Sequence, residues 1–166
     1  MTTLVCISDT HMHHRSIELP PGDILIHSGD FTKTGRGEDV EDFLDWFRSQ
    51  PHTHKVLVAG NHDLTLDESL YRSSWYRWHR VPEEDARIRD MVEQGEGFHY
   101  LRDRKVILDG VKIYGSPWQP EFGGWAFNLP RNSSEISSKW SSIPLGLDVL
   151  VTHGPPKRIL DDVEGE

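Results

Sequence analysis

The chain has 166 residues, of which 36% are hydrophobic and 27% charged, and its formal net charge is −9. That length fits one domain, residues 1–166, with enough material for a hydrophobic core. The acidic balance argues against a nucleic-acid polymer as partner, because such binding depends on Lys and Arg neutralising phosphates. It argues less strongly against a small phosphorylated substrate, since bound metal ions can supply local positive charge.

The only cysteine, Cys6, excludes an intrachain disulfide and fits a reducing compartment. Because it lies in the first apolar run, we expect it to be a small core residue. No apolar stretch approaches the roughly 20 residues of a membrane span. The first apolar run, Leu4–Ile7, begins too early to leave room for a signal peptide. We therefore expect a cytoplasmic protein with no membrane partner, and the oligomeric state stays open.

Short β-branched apolar runs, bounded by Gly, Asp, Ser or Pro, predict six buried strands. They are Leu4–Ile7, Ile24–Ile26, Val56–Ala59, Val106–Leu108, Val111–Tyr114 and Val149–Val151. Asp109-Gly110 predicts a tight antiparallel hairpin between the fourth and fifth runs. Apolar residues at helical spacing, with cap signals, predict helices. They are Glu38–Arg48, Leu64–Leu70, Glu83–Gln94 and Ser133–Trp140. Segments 73–81 and 116–132 look irregular. This order predicts an α/β fold, bordering on α+β, with mixed sheets and helices outside.

Four polar clusters each follow a predicted strand. They are Asp9-Thr10-His11, Gly29-Asp30, Gly60-Asn61-His62-Asp63 and Thr152-His153-Gly154. Each alone is better explained by a turn or a cap, and Asp63 fits an N-cap of the following helix. We expect Asp9 and His11, two apart in extended backbone, to point to the same side. Together the clusters indicate one site, because ligands in α/β sheets bind beyond the carboxyl ends of strands. Their carboxylate, amide and imidazole groups suit a two-metal phosphoester-cleaving site.

The ordered set Asp-x-His, Gly-Asp, Gly-Asn-His-Asp and His-Gly resembles the calcineurin-like metallophosphoesterase superfamily. The stretches from Gly115 to Asn128 and from Thr152 to Pro156 are similar to one small subfamily, the metallophosphoesterase-domain-containing or 239-type proteins. The resemblance extends from Asp9 to Asp162. It implies two mixed β-sheets packed as a sandwich flanked by helices.

The resemblance also implies a centre of two divalent metal ions held by five residues. Asp9 and His11 would hold the first ion, and Asp30 would bridge both. Asn61 and His153 would hold the second ion. Nitrogen and oxygen ligands without thiolate suit Mn, Fe, Zn, Ni or Co, and ligand type does not choose among them.

The activity implied is metal-dependent hydrolysis of phosphodiesters, such as (cyclic) nucleotides, by an activated hydroxide. His62 would be catalytic, donating a proton or hydrogen bond beside the scissile phosphate. Family members end with a Gly-His-x-His element that supplies two more ligands, and nothing of that kind follows His153. Truncation, a natural short variant and a segment from a second chain all explain this, and we favour truncation with the last strands missing. The alternative function is a non-catalytic or weakly active metal- and nucleotide-binding module.

Substrate contacts are predicted at three further residues. His13, beside His14 on a polar loop, either lines the pocket or is solvated. Trp118 and Trp125 either close over the core or form a stacking wall for a base. His27 lies next to the site and either supports it or packs in the core. An alternation of aromatic residues and arginines between residues 72 and 80 favours a surface-packed aromatic helix over a basic lid.

Overall fold

The computed structural model describes residues 1–159, in which helices and a second sheet pack against opposite faces of a parallel sheet. The first sheet has the order β1-β2-β3-β4, and each neighbouring pair in it is parallel. Its strands are β1 Leu4–Ile7, β2 Ile24–His27, β3 His54–Leu57 and β4 His99–Tyr100. The helices are α1 Gly37–Ser49, α2 Glu68–Ser74, α3 Asp85–Glu93 and α4 Ser134–Ser141.

The second sheet has three strands, β5 Arg104–Leu108, β6 Val111–Ser116 and β9 Val149–Thr152. β5 pairs with β6 in antiparallel fashion, and β9 pairs with β6 in parallel. Two short strands, β7 Gln119–Pro120 and β8 Asn128–Leu129, pair within the segment that the sequence left irregular. Within residues 1–159, no helix is long and apolar enough to cross a membrane.

The core divides along the alternation of side chains in β2 and β3. Leu25 and Leu57 pack with Phe43 and Phe47 of α1 on the helix side of the sheet. Their neighbours form a second cluster with the second sheet, containing Ile24, Ile26, Val56, Ile113 and Val151. Because both faces are covered, β2 reads as a continuous apolar run rather than an alternating one.

The predicted fold class is confirmed, with two refinements. The first sheet is parallel throughout rather than mixed, because each of its strands returns through a crossover. The predicted hairpin is confirmed between β5 and β6: Asp109 (φ 49°) and Gly110 (φ 83°) both adopt the left-handed conformation of its turn. β3 begins two residues earlier than predicted, and β4 is too short to leave an apolar run.

Two sequence-based expectations about local structure are wrong. The predicted helix at 64–70 is a 3₁₀ turn, Leu64–Leu66, followed by α2, whose N-cap is Asp67 with its carboxylate accepting from Leu70 N at 3.1 Å. Cys6 is exposed rather than buried. It lies on β1, the outermost strand of the first sheet, on the face opposite to that of the buried Val5. The aromatic segment forms a short 3₁₀ turn, Trp75–Arg77, after α2.

Candidate metal centre

The candidate site forms where β1, β2 and β3 end, because parallel neighbours present their carboxyl ends at one edge. Asp9 follows β1, Asp30 follows β2 and Asn61 follows β3. His153 follows β9 of the second sheet and reaches the same edge, with its Nδ1 donating to the Ser28 carbonyl at 3.0 Å. The fold therefore gathers the four polar clusters at one place.

The loops after β1 and β2 are held in an unusual backbone conformation. Asp9 (φ 54°), His11 (φ 40°) and Asp30 (φ 57°) all lie in the left-handed region. The expectation that Asp9 and His11 lie in extended backbone is therefore wrong. The loops stay in this form because Asp9 N donates to the Gly29 carbonyl at 2.9 Å and His11 N to the Asp30 carbonyl at 3.0 Å. Such residues cost about 1–3 kcal/mol each and concentrate at functional sites.

Asp30 is the centre of the cluster. Its carboxylate is 3% exposed, and its ligand atoms lie within 4.8 Å of those of Asp9 and His153. Oδ1 is 3.4 Å from His153 Nε2, while Oδ2 is 3.7 Å from His11 Nε2. Asn61 Oδ1 lies 3.0 Å from His153 Nε2. The structure thus brings all five predicted ligands together, with one oxygen of Asp30 toward each histidine.

The donor geometry fits divalent metal ions. His11 Nδ1 donates to the Thr32 carbonyl at 3.1 Å, and His153 donates in the same way to Ser28. These bonds use Nδ1 as the donor, so the neutral form of each ring carries its lone pair on Nε2, as metal-binding histidines require. Two ligands at about 2.1 Å from one ion lie about 3 Å apart in neighbouring octahedral positions, close to the Asn61–His153 separation.

The electrostatics match a positive charge beside Asp30. Burial alone lowers the pKa of His153, but the hydrogen bond and charge of Asp30 outweigh it and raise that pKa to about 9. Burial alone raises the pKa of Asp30, and its bonds to His153 and His62 N lower it overall. The carboxylate is therefore ionised and its charge is balanced by the imidazolium of His153, whose Nε2 proton a metal ion would replace on binding.

His62 is held beside the cluster by four contacts. Its backbone N–H donates to Asp30 Oδ1 at 2.7 Å, and its Nδ1 donates to the Lys33 carbonyl at 2.8 Å. The ring stacks on Trp125 with centroids 4.1 Å apart and meets His11 edge-on at 4.7 Å. Among the described residues, Nε2 has no hydrogen-bond partner, so it is free to meet a substrate.

The two motif glycines allow the loops to touch. A Cβ on Gly29 would lie 2.6 Å from Gly60 N and 2.7 Å from His153 Nδ1. A Cβ on Gly60 would overlap the Asp30 carboxylate. Gly29 also has a φ of 108°, which L-residues with a side chain rarely adopt. Glycine at both positions is therefore required for the ligands to converge.

The family of the chain follows from a comparison of sequences. The profile of the calcineurin-like phosphoesterases matches residues 2–166. The chain belongs to this family. Members of this family bind divalent metals and cleave phosphoesters, and the chain carries their metallophosphoesterase domain. The resemblance stated from the sequence motifs is therefore confirmed, although its last positions, 160–162, lie outside the described residues.

Three relatives show how far the likeness reaches. Metallophosphoesterase domain-containing protein 1 of Homo sapiens is 43% identical over 168 residues, covering 96% of this chain and 50% of that protein. A UPF0046 protein of Caenorhabditis elegans is 35% identical, with 92% and 41% covered. A protein of Emericella nidulans named probable rhamnogalacturonate lyase C is 39% identical, but only 14% of its length is covered. The chain spans about half the length or less of these relatives.

Asp63 stands at the N-cap position that the sequence predicted, before the Leu64–Leu66 turn, but its side chain makes no capping hydrogen bond. Its carboxylate, 0% exposed, accepts from Asp30 N at 3.0 Å, Thr32 N at 3.0 Å and Gly60 N at 2.8 Å. Thr32 Oγ1 donates a fourth bond at 2.8 Å. Burial and the nearby charge of Asp30 raise the pKa of Asp63 to about 7. One carboxylate therefore joins the loops after β2 and β3.

His27 both supports the site and packs in the core, so the two interpretations of its position in the sequence are both correct. Nδ1 accepts from Gly29 N at 3.2 Å, and Nε2 donates to Thr10 Oγ1 at 3.0 Å. The ring lies against Phe43, with centroids 5.0 Å apart. Burial lowers its pKa to about 3, so the imidazole is neutral.

The predicted substrate contacts have different surroundings. Trp125 lies on His62, whereas Trp118 donates its indole N–H to Asp103 at 2.9 Å and packs against Phe127. His13 is exposed. His14 neither lines the pocket nor faces solvent. It is 0% exposed and bonds Asp42 at 3.1 Å, because the 3₁₀ turn His14–Ser16 directs it onto α1.

Gln119 is the site residue that sequence reasoning missed. Its Nε2 donates to Asn61 Oδ1 at 3.0 Å. This bond orients the amide, so that its oxygen faces His153. The residue lies in the stretch from Gly115 to Asn128 that resembles the subfamily, but that resemblance assigned it no role.

Proposed function

We propose that this chain hydrolyses phosphodiesters, with (cyclic) nucleotides as the substrate class, at two divalent metal ions. The observation that carries the proposal is the position of Asp30 between two sets of ligands. Its Oδ2 faces His11, and its Oδ1 faces His153. The Nε2 of His153 in turn lies next to Asn61 Oδ1. One carboxylate so placed is able to bridge a pair of ions.

Each of the two proposed ions has its own set of protein ligands. Asp9 and His11 would hold the first ion, and Asn61 and His153 the second, with Asp30 shared. When bound, the ions supply Lewis acidity, which generates a hydroxide at neutral pH and neutralises charge developing at phosphorus. The identity of the metal stays open among Mn, Fe, Zn, Ni and Co, because the ligands are nitrogen and oxygen only.

His62 is proposed to assist the leaving oxygen. The hydrogen bond from Nδ1 to the Lys33 carbonyl and the stack on Trp125 fix the plane of the ring. A protonated ring held in this way offers Nε2–H to an oxygen that gains negative charge, which is general-acid assistance. The backbone bond from His62 to Asp30 keeps this donor in register with the metal ligands.

Trp125 supports a nucleotide as the substrate. Its ring is half-buried, lies directly against His62 and approaches Trp78 with centroids 6.0 Å apart. Base–aromatic stacking contributes about 1–3 kcal/mol per base. The net charge of −9 supports a small phosphorylated substrate over a nucleic-acid polymer. Contacts from His13 and Trp118 stay predictions.

A second candidate function is a metal- and nucleotide-binding module without turnover. It is favoured by the ligand count: within residues 1–159 the five predicted ligands, with Asp30 counted twice, supply three to each ion of the proposed pair, and the close carboxylate and imidazole group is Asp9, Asp30 and His153. Three protein ligands on each side leave much of each coordination shell to water, which weakens metal affinity.

Hydrolysis of two chromogenic esters tests the proposal. The Mn²⁺-loaded chain is assayed with bis(p-nitrophenyl) phosphate and with p-nitrophenyl phosphate, beside the variants Asp30→Asn and His62→Ala. We expect metal-dependent turnover of the diester and its loss in Asp30→Asn. The exposed carboxylate of Asp45 on α1 provides the matched control, and Asp45→Asn should keep full activity.

His62→Ala is best assayed with leaving groups of different basicity. General-acid catalysis contributes about 10²–10⁴-fold, and most for a leaving oxygen that needs a proton. We therefore expect a smaller loss with p-nitrophenolate than with an alkyl alcohol as leaving group. Turnover that is independent of metal or unchanged by Asp30→Asn would refute the enzyme proposal, whereas nucleotide binding without turnover would support the binding module.

A further inference from the structure

A groove of about 410 Å³ lies beside the loop that joins β2 to α1. Its lining includes Thr34 and Arg36 from the segment before α1, and Trp78 and Arg80 from the segment before α3. That volume falls in the range of pockets that hold small molecules, about 300–1,000 Å³. None of these four residues belongs to the predicted ligand set, so the groove is a separate feature of the surface.

Both lining segments are linked to His62 through one intermediate residue. Thr34 follows Lys33, whose carbonyl accepts the hydrogen bond from His62 Nδ1 at 2.8 Å. Trp78 approaches Trp125 at 6.0 Å, and Trp125 stacks on His62. A molecule whose scissile phosphate lies beside His62 can therefore extend into the groove.

The charge of the groove favours an anion, although the chain as a whole is acidic. Its carboxylate, Glu83, is already engaged: it accepts from Gly37 N at 3.1 Å and lies 3.7 Å from Arg36 Nε. Arg80 is exposed and, within residues 1–159, makes no hydrogen bond or ion pair. His79 adds no charge, because burial lowers its pKa. Among the described residues that line the groove, Arg80 is therefore the cation free to bind a ligand.

The walls of the groove show which part of a ligand would lie there. Trp78 and Val81 are apolar, and Val81 is 70% exposed. Arg77 covers Trp78 at 4.8 Å from the ring centroid and donates to the Gly124 carbonyl at 3.4 Å, which fixes the indole beside the Trp125 loop. An apolar wall next to an unpaired guanidinium suits an organic moiety that carries its own phosphate.

We propose that this groove binds a second phosphate of the substrate through Arg80. The preferred ligands are then nucleotides that carry a phosphomonoester in addition to the phosphate at the metal centre. The proposal rests on the proposed function for the position of the first phosphate. It adds a determinant of substrate specificity that lies outside the metal ligands and His62.

Calorimetric titration tests the proposal without depending on turnover. The Mn²⁺-loaded chain is titrated with adenosine 3′,5′-bisphosphate and with adenosine 5′-monophosphate, and the two dissociation constants are compared. We expect the bisphosphate to bind about 5- to 10-fold more tightly, the effect of one charge-assisted contact. The preference should decrease at 0.5 M salt, because the guanidinium is exposed.

Arg80→Ala and a matched arginine separate this contact from general electrostatics. Arg80→Ala should bind both nucleotides equally. Arg104→Ala removes an exposed arginine on β5 that also has no ion-pair partner within residues 1–159, and it should keep the wild-type preference. A wild-type chain without preference, or binding to neither nucleotide, overturns the proposal, as does an unchanged preference in Arg80→Ala. If the preference depends on Arg80 but no phosphodiester is hydrolysed, the groove stands and the proposed function fails.

Discussion

Replacing Asp63 should destabilise the fold more than replacing any exposed acid, although Asp63 is not a predicted metal ligand. Its buried carboxylate accepts three backbone N–H groups, from Asp30, Thr32 and Gly60. Asp63→Ala leaves these donors buried without acceptors. Asp63→Asn keeps one oxygen but turns an amide N–H₂ toward the others.

The loss of stability follows from the number of buried donors that lose their acceptor. An unsatisfied buried donor costs about 1–3 kcal/mol. Asp63→Ala leaves three such donors, so the free energy of unfolding should fall by at least about 3 kcal/mol. For Asp63→Asn we expect about 2 kcal/mol, since one oxygen remains and the repulsion with Asp30 is relieved. Total stability is about 5–15 kcal/mol for a domain, so both losses are large.

Urea unfolding followed by circular dichroism measures these losses. Asp45→Asn, which alters a carboxylate 76% exposed on α1, serves as the control and should stay within about 0.5 kcal/mol of wild type. At about 2–4 °C per kcal/mol, Asp63→Ala should also lower the melting temperature by about 6–12 °C. A loss below about 1 kcal/mol in Asp63→Ala would refute the idea that this carboxylate holds the two loops together.

Three further substitutions test other parts of the structure. Because the pKa of His27 is about 3 when folded and about 6.5 when unfolded, stability should fall by about 1.4 kcal/mol per unit as pH drops between these values. His27→Asn should reduce that slope in urea titrations from pH 7 to 5, and an unchanged slope would contradict this. Gly29→Ala should abolish Mn²⁺ binding in calorimetry, because its Cβ would meet Gly60 N at 2.6 Å. Gly110→Ala strains a positive φ of 83° in the same way but has open space around its Cβ and lies in the β5–β6 hairpin, so it should bind Mn²⁺ normally. Trp125→Ala should weaken nucleotide binding by about 5- to 100-fold through lost stacking, and Trp125→Phe should restore most of it.

The sequence predicted the convergence of the ligands because strand direction carries that information. Each polar cluster follows an apolar run, and once β1, β2 and β3 are parallel, their carboxyl ends meet at one edge. The hairpin at Asp109-Gly110 was predictable for a similar reason: its turn depends only on two adjacent residues, and both tolerate a positive φ.

What the sequence did not predict depends on contacts between distant segments. Asp63 occupies an N-cap position, yet its side chain binds the loop 31 to 33 residues earlier. His14 is buried only because α1 places Asp42 and Phe43 next to it. Cys6 belongs to an apolar run, but its strand is the edge of a sheet. Local patterns carry no information on which face of an element another segment will cover.

The position of bound Mn²⁺ tests the central claim most directly. Anomalous diffraction from crystals grown with Mn²⁺ should show two peaks, each about 2.0–2.3 Å from an oxygen of Asp30. One peak should lie against Asp9 and His11, and the other against Asn61 and His153. A density map with no anomalous peak at Asp30, or with manganese bound only elsewhere on the surface, would contradict the account.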